Sequence, residues 1–239
     1  MFKLNKITLA ATTLLLATSA VSVNAASLDY RHEYKHDTES NGDRIKIGGS
    51  TKVELGTHYY SVEMKFNGKD GSYGYQDLER GDSEFEYSFK YFVNDNFYLQ
   101  PGMPITMGDQ RVTYKPQLRV GYEFDSGITA KLRYRHEFRD FTDEKENGET
   151  WQKSKVTANL TYTWNSTVQF DFETNYEKAR EGDNWLLYDG KDWNYDYNLK
   201  VGYKNDSNWR PYFELGNVSV SSKSDERQLR SRVGLTYSF

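Results

Sequence analysis

Apolar and polar residues alternate along most of the chain. From Val156 to Trp164, one side carries Val156, Ala158, Leu160, Tyr162 and Trp164, and the other carries Thr157, Asn159, Thr161 and Thr163. A period of two places successive side chains on opposite faces of an extended strand, so this segment reads as a strand with one apolar side. The same rhythm groups Val62, Met64 and Phe66; Phe85, Tyr87, Phe89 and Tyr91; and Ile128, Ala130, Leu132, Tyr134 and Phe138. It recurs at Val168, Phe170, Phe172 and Tyr176, and at Tyr195, Tyr197, Leu199, Val201 and Tyr203. No helical period competes over any length.

Twelve strands are predicted, near residues 27–36, 43–55, 59–67, 83–92, 97–105, 110–124, 127–139, 152–164, 168–178, 193–204, 209–218 and 226–239. Every second connection is short and holds turn residues: Leu55-Gly56-Thr57, Asn94-Asp95-Asn96, Asp125-Ser126-Gly127, Asn165-Ser166 and Asn205-Asp206-Ser207. The connections between them are mostly longer, such as Gly68–Asp82, Asp140–Trp151 and Ala179–Asp192. An even strand number, with turns at one end and loops at the other, predicts an all-β transmembrane antiparallel barrel of the outer-membrane type. A secreted β-sandwich would also alternate, but it does not explain the alternating connection lengths. Leu229, Val233, Leu235, Tyr237 and the terminal Phe239 follow the same parity, resembling the C-terminal strand signal that the barrel-insertion machinery reads.

The N-terminus departs from the pattern. Lys3 and Lys6 precede an apolar run from Ile7 to Ala17, and Val23-Asn24-Ala25 offers a small-residue exit. This reads as a secretory signal peptide over residues 1–25, cleaved after Ala25 or Ala26, followed by a barrel domain over 26–239. The apolar run is too short for a membrane anchor, and no later stretch of about 20 apolar residues predicts a spanning helix.

Charge decides which strand face points inward. Lys131, Arg133, Arg135 and Arg139 share one parity in the seventh predicted strand. A Lys or Arg on the lipid side costs about 2–4 kcal/mol at the bilayer midplane. Four of them approach the about 5–15 kcal/mol that holds a typical domain together. That face must therefore line a lumen, and His32 and His136 then point outward, near an interface or a loop. The same parity assigns Arg31, Lys35, Arg44, Lys46, Arg230 and Arg232 to one wall, and Arg111, Lys115, Arg119, Lys131, Arg133, Arg135, Arg139, Lys153 and Lys155 to the wall opposite. Glu63, Glu84 and Glu86 fall between them on one side, and Asp171, Glu173, Glu177 and Asp196 on the other. Asp29, Glu33, Glu123 and Glu137 interrupt the basic walls, and Lys65, Lys90 and Lys200 the acidic ones. Two short echoes sit half a barrel apart: Tyr30-Arg31-His32-Glu33-Tyr34 with Tyr134-Arg135-His136-Glu137-Phe138, and Arg119-Val120-Gly121 with Arg232-Val233-Gly234.

Facing columns of guanidinium and ammonium groups attract carboxylates and confer anion preference. The residues expected to form such a path are Arg31, Arg44, Lys46, Arg111, Lys115, Arg119, Lys131, Arg133, Arg135, Arg139, Arg230 and Arg232. The alternative role for any one of these charges is to pair with a lumen acid and stiffen the barrel. Aromatics such as Trp185, Tyr188 and Trp193 suit either sugar stacking or interfacial anchoring, and Met103-Pro104-Ile105-Thr106-Met107 suits either a strand end or a constriction.

Composition removes other classes. There is no Cys, which excludes thiolate metal sites and disulfide scaffolds, and the 20 Tyr among 239 residues argue against disorder. The net charge of −4 becomes −6 once the two leader lysines are removed. With four His and neither an HExxH nor a nucleophile-elbow motif, no catalytic residue, cofactor or metal is expected, nor is a nucleic-acid partner.

Several segments together resemble a family. They are Ser27-Leu28-Asp29-Tyr30-Arg31-His32-Glu33, Arg133-Tyr134-Arg135, and Trp209-Arg210-Pro211-Tyr212 with Glu214 and Gly216-Asn217-Val218. The ending, Asp225-Glu226-Arg227-Gln228 through Arg232-Val233-Gly234 to Tyr237-Ser238-Phe239, joins them. The chain resembles the oligogalacturonate-specific porins, the KdgM-like family. The resemblance implies a monomeric barrel in outer-membrane lipid, passing anionic oligosaccharides between two basic tracks. It also embraces relatives that pass sialic acids and other uronate oligomers. Loops 68–82 and 140–151 carry no motif that names the sugar. A general porin, a sialic-acid-type porin and a structural or adhesive barrel are the alternative readings.

Overall fold

The computed structural model describes residues 25–68, 77–142, 150–182, 185–204 and 207–239. The expected signal peptide lies outside the described residues apart from Ala25. The described chain is built of strands: β1 (Ala25–Lys35), β2 (Ser40–Val53), β3 (Gly56–Gly68), β4 (Leu78–Phe92), β5 (Phe97–Met107), β6 (Arg111–Tyr114), β7 (Gln117–Glu123), β8 (Ile128–Phe141), β9 (Thr150–Trp164), β10 (Val168–Glu181), β11 (Trp193–Tyr203), β12 (Trp209–Ser219) and β13 (Arg227–Ser238). Each pairs antiparallel with its neighbours, and β13 closes on β1 with Ser27 opposite Ser238 and Lys35 opposite Arg230. Closure leaves no sheet edge, the condition for a sheet to cross hydrocarbon.

β6 and β7 are two halves of one stave. Ile105 lies opposite Tyr114 and Gly102 opposite Gln117, so the register is unshifted across the break. Their partners on β8, Phe138 and Arg135, also keep step. Pro116 is the cause: it has no N–H to donate to the ladder. Its carbonyl still accepts from His136 N at 3.0 Å, and Lys115 N still donates to Pro104 at 2.9 Å. The thirteen assigned strands therefore make the twelve staves expected from the alternation.

Strand ends match the expected ones closely at the turn side and run further at the loop side. β4 starts at Leu78 and β10 ends at Glu181, each extending the barrel wall beyond the apolar pattern. The Asn165-Ser166 turn has positive φ at both residues (49° and 58°). That is the twist-matched geometry of a two-residue hairpin. Met103–Met107 is plain strand, with Met103 and Met107 exposed on the outer face.

Parity sorts the two faces. Leu132, Tyr134, Leu160, Tyr162, Phe172, Leu199, Phe213 and Val233 are exposed outward, toward lipid, while the charged residues alternate inward. Tyr87, Tyr91, Tyr114, Tyr122, Tyr176, Tyr197 and Tyr203 share the outer face, which accounts for much of the Tyr excess. Trp164 and Trp209, each 52% exposed, sit at the turn end, where an indole can meet both hydrocarbon and water. The outward histidines have polar partners close to the loop end. His32 Nδ1 lies 3.0 Å from Asp43, which also accepts from Tyr30 at 2.5 Å, and His136 contacts Ser154 and Gln152 at 3.2 and 2.9 Å.

The echoed Arg-Val-Gly segments occupy equivalent places. A Cβ on Gly121 would lie 2.2 Å from the Tyr98 ring, and one on Gly234 would lie 2.2 Å from the Tyr212 ring. In each case a lumen tyrosine on the preceding stave lies flat across the glycine, so only glycine leaves room.

Candidate functional site

The inward residues converge on the barrel axis. Arg31, Arg44, Arg119, Lys131, Arg133 and Arg232 line one cavity of about 480 Å³, contributed by strands from both sides of the barrel. Lys46 lines a second cavity of about 560 Å³ toward the turn end, which Arg119 also borders. Arg111, Lys115, Arg135, Arg139 and Arg230 line neither cavity. The strands β13, β1 and β2 lie half a circuit from β6, β7, β8 and β9.

The partners of these residues make the two sides unequal. On the β13–β1–β2 side, Arg232 reaches Glu33 at 2.6 Å and Glu214 at 2.5 Å, and Arg230 approaches the same two carboxylates at 3.9 and 3.8 Å. Arg44 pairs with Asp29 and, at 3.3 Å, with Glu63. Lys46 lies 3.9 Å from Glu86. Arg31 and Lys35 on this side make no ion pair among the described residues. The positive charge here is largely answered by fixed carboxylates.

On the β7–β8 side the partners are neutral. Arg119 donates to Gln100 at 3.1 Å, Lys131 to Thr161 at 3.3 Å, Arg133 to Thr157 at 3.0 Å, and Arg135 to Gln117 at 3.0 and 2.8 Å. Among the described residues none of these four makes an ion pair. The Nε atoms of Arg119 and Arg133 are buried without a hydrogen-bond partner. A hydroxyl or amide orients a guanidinium or ammonium group without cancelling its charge. Toward the loop end, Arg111 pairs with Asp82 at 3.1 Å, Lys115 with Glu84 at 2.8 Å, and Lys153 with Glu177 at 2.9 Å. Arg139 there makes no ion pair among the described residues.

The difference traces to one position of the repeated motif. Arg119 and Arg232 sit two residues before their glycines, and the residue two beyond each lumen tyrosine meets them. That residue is Gln100 on one side and Glu214 on the other. Sequence parity places both on the lumen face, but Gln100, Gln117, Thr157 and Thr161 are uncharged and carry no signal in a charge count. The acids expected between the walls instead reach into them: Glu63 to Arg44, Glu84 to Lys115, and Glu86 to Lys46.

The family profile described as oligogalacturonate-specific porin protein (KdgM) matches residues 19–239. The chain belongs to the oligogalacturonate-specific porin family. Among curated relatives, the oligogalacturonate-specific porin KdgM of Dickeya dadantii is 34% identical over 232 residues, covering 94% of this chain and 97% of that protein. The uncharacterized protein YiiY of Salmonella typhimurium is also 34% identical, over 95% of this chain and 96% of its own. A KdgM porin solved in complex with disordered oligogalacturonate superposes with a TM-score of 0.65 at 28% identity, over 89% of this chain and 99% of that one. The NanC porin superposes with a TM-score of 0.72 at 17% identity, over 88% of this chain and 98% of that one, a likeness of fold. As a member of the porin family, the chain is an outer-membrane β-barrel whose fold is that of a transport channel rather than an enzyme.

Proposed function

We propose that this porin is a passive, anion-favouring channel for acidic oligosaccharides, oligogalacturonate or related uronate oligomers. The observation that carries the reading is the β7–β8 wall, where Arg119, Lys131, Arg133 and Arg135 keep their charge because their partners are neutral. Guanidinium forks pair with carboxylates in two-point contacts. A column of them hands a polyanion from one site to the next, and a wet lumen keeps each contact weak enough to break. Arg31 faces this wall across the shared cavity and supplies the opposite contact. Arg44, Arg230 and Arg232 act mainly as struts, holding Asp29, Glu33, Glu63 and Glu214 in place. Membership of the family and the 34% identity to the Dickeya porin support the substrate class. We also take the working protein to be a monomer, trimmed of residues 1–25 and seated in outer-membrane lipid by the insertion machinery.

Reconstitution in planar bilayers tests the reading. In a KCl gradient the reversal potential is expected on the chloride side, and trigalacturonate is expected to interrupt the current. A channel that shows no anion preference and ignores trigalacturonate is a general porin or a structural barrel, and the proposal fails.

A further inference from the structure

An uncompensated cationic wall attracts any anion, chloride included, and does not by itself recognise a sugar ring. The loop between β10 and β11 supplies a group that does. Its two described aromatics part at the rim. Tyr188 turns outward: it packs edge-on against Trp193 and Tyr195, and Arg227 lies 5.1 Å from its ring. Trp193 stacks at 6.3 Å on the outward Tyr176, so it belongs to the outer girdle. Trp185 turns inward.

The Trp185 ring lies over residues of lumen parity. Arg139 Cζ is 4.6 Å from its centroid and Lys153 Nζ 5.6 Å. The Trp151 ring, whose residue faces Arg139 across the β8–β9 ladder, lies 5.2 Å away at 45°. Phe141 packs edge-on against Trp151 at 5.2 Å. Gly182 makes the inward fold possible: its φ is +127°, and a Cβ there would meet the Trp151 ring at 2.8 Å. Trp185 itself remains half-buried.

The cations beneath it are not equivalent. Lys153 is held between Glu177 at 2.9 Å and Glu137 at 3.5 Å. Arg139 has no ion pair among the described residues, and its Nε is buried without a hydrogen-bond partner. Nearby Asp82 is taken by Arg111 and Asp140 by Thr150. The guanidinium of Arg139 is thus held over one face of the Trp185 indole and, among the described residues, has no carboxylate partner of its own.

We propose that Trp185 and Arg139 form a recognition subsite for an acidic pyranose at the loop-end mouth of the lumen. The C–H face of a pyranose stacks on the indole face that Arg139 leaves uncovered, and a carboxylate on the same ring reaches past the indole edge to the guanidinium. Neither a neutral sugar nor a small inorganic anion makes both contacts together. The subsite selects uronate-type rings before the β7–β8 wall draws them inward, and it rests on the proposed passage of acidic oligosaccharides.

The test uses the full-length porin in planar bilayers with trigalacturonate as the probe. Folding of each variant is checked by heat-modifiable gel mobility. W185A is expected to raise the trigalacturonate dissociation constant read from current block by about twofold to tenfold, the worth of one aromatic stacking contact. W185F keeps a stacking plane and is expected to recover most of the block. The chloride-side reversal potential, set deeper by the β7–β8 wall, is expected to stay near its wild-type value in both. Wild-type tryptophan emission is expected to change on adding trigalacturonate, and this response is expected to disappear in W185F. Block by W185A equal to wild type, with the emission response of W185F intact, overturns the subsite and leaves the channel reading standing. Absence of both anion preference and block in the wild type overturns the two together.

Discussion

Exchanging Gln100 for Glu tests the unequal walls with a minimal perturbation. Gln and Glu have nearly the same shape, and the Gln100 Oε1 already lies 3.1 Å from Arg119 Nη1. The substitution places a carboxylate where an amide oxygen sits, creating the pair that Glu214 makes with Arg232 at 2.5 Å on the other side. No cavity opens, and the buried Ser88 hydroxyl, which accepts from Gln100 Nε2 at 2.9 Å, can turn to donate to the new carboxylate, so folding is expected to be little affected. The electrostatic effect is not slight. Two unit charges about 4 Å apart interact by about 1 kcal/mol in water and about 4 kcal/mol at an effective dielectric constant near 20. A wet lumen lies toward the lower figure, which corresponds to about a fivefold change in the occupancy of a passing anion. Q100E is therefore expected to lower the chloride-to-potassium permeability ratio by about fivefold and to weaken trigalacturonate block, both read in planar bilayers. The reciprocal change, Glu214→Gln, is expected to move the ratio upward, by less because Glu33 still holds Arg232. An unchanged ratio in Q100E, with the protein folded, would refute the claim that uncompensated charge on the β7–β8 wall sets selectivity.

Other outcomes follow from the same geometry. R133Q removes a charge that, among the described residues, is tied only to Thr157, so it is expected to reduce anion preference with little loss of stability in urea unfolding. R232Q strands Glu33 and Glu214 and is expected to cost up to about 3–5 kcal/mol of stability, softened by Arg230 at 3.9 and 3.8 Å, while altering selectivity toward cations. G121A and G234A drive a methyl group into the Tyr98 and Tyr212 rings and are expected to lose about 1–3 kcal/mol each. Pairing G121A with Tyr98→Ala in a double-mutant cycle is expected to show strong coupling, and additive losses would count against the ring-over-glycine contact.

The sequence by itself determined the barrel. Strict alternation from Val156 to Trp164 and in the other strands gives each strand one apolar face, and short turns alternating with longer loops favour a closed barrel over a sandwich. The cost of burying Lys131, Arg133 and Arg135 in lipid fixed which face is the lumen. Both are local consequences of a period of two, and a break such as Pro116 does not disturb them because the register is carried by neighbours on both sides. What only the tertiary structure decided is which charges remain active. Arg119 and Arg232 are indistinguishable within Arg-Val-Gly; one meets Gln100 and the other Glu214 because closure brings those particular staves together. Trp185 and Tyr188 lie three residues apart in one loop, yet one lines the lumen and the other the outer surface. Alternation sorts residues by face, but a loop has no faces, and a charge count does not record partners. Those are set by contacts between residues distant in sequence, which exist only once the sheet has closed.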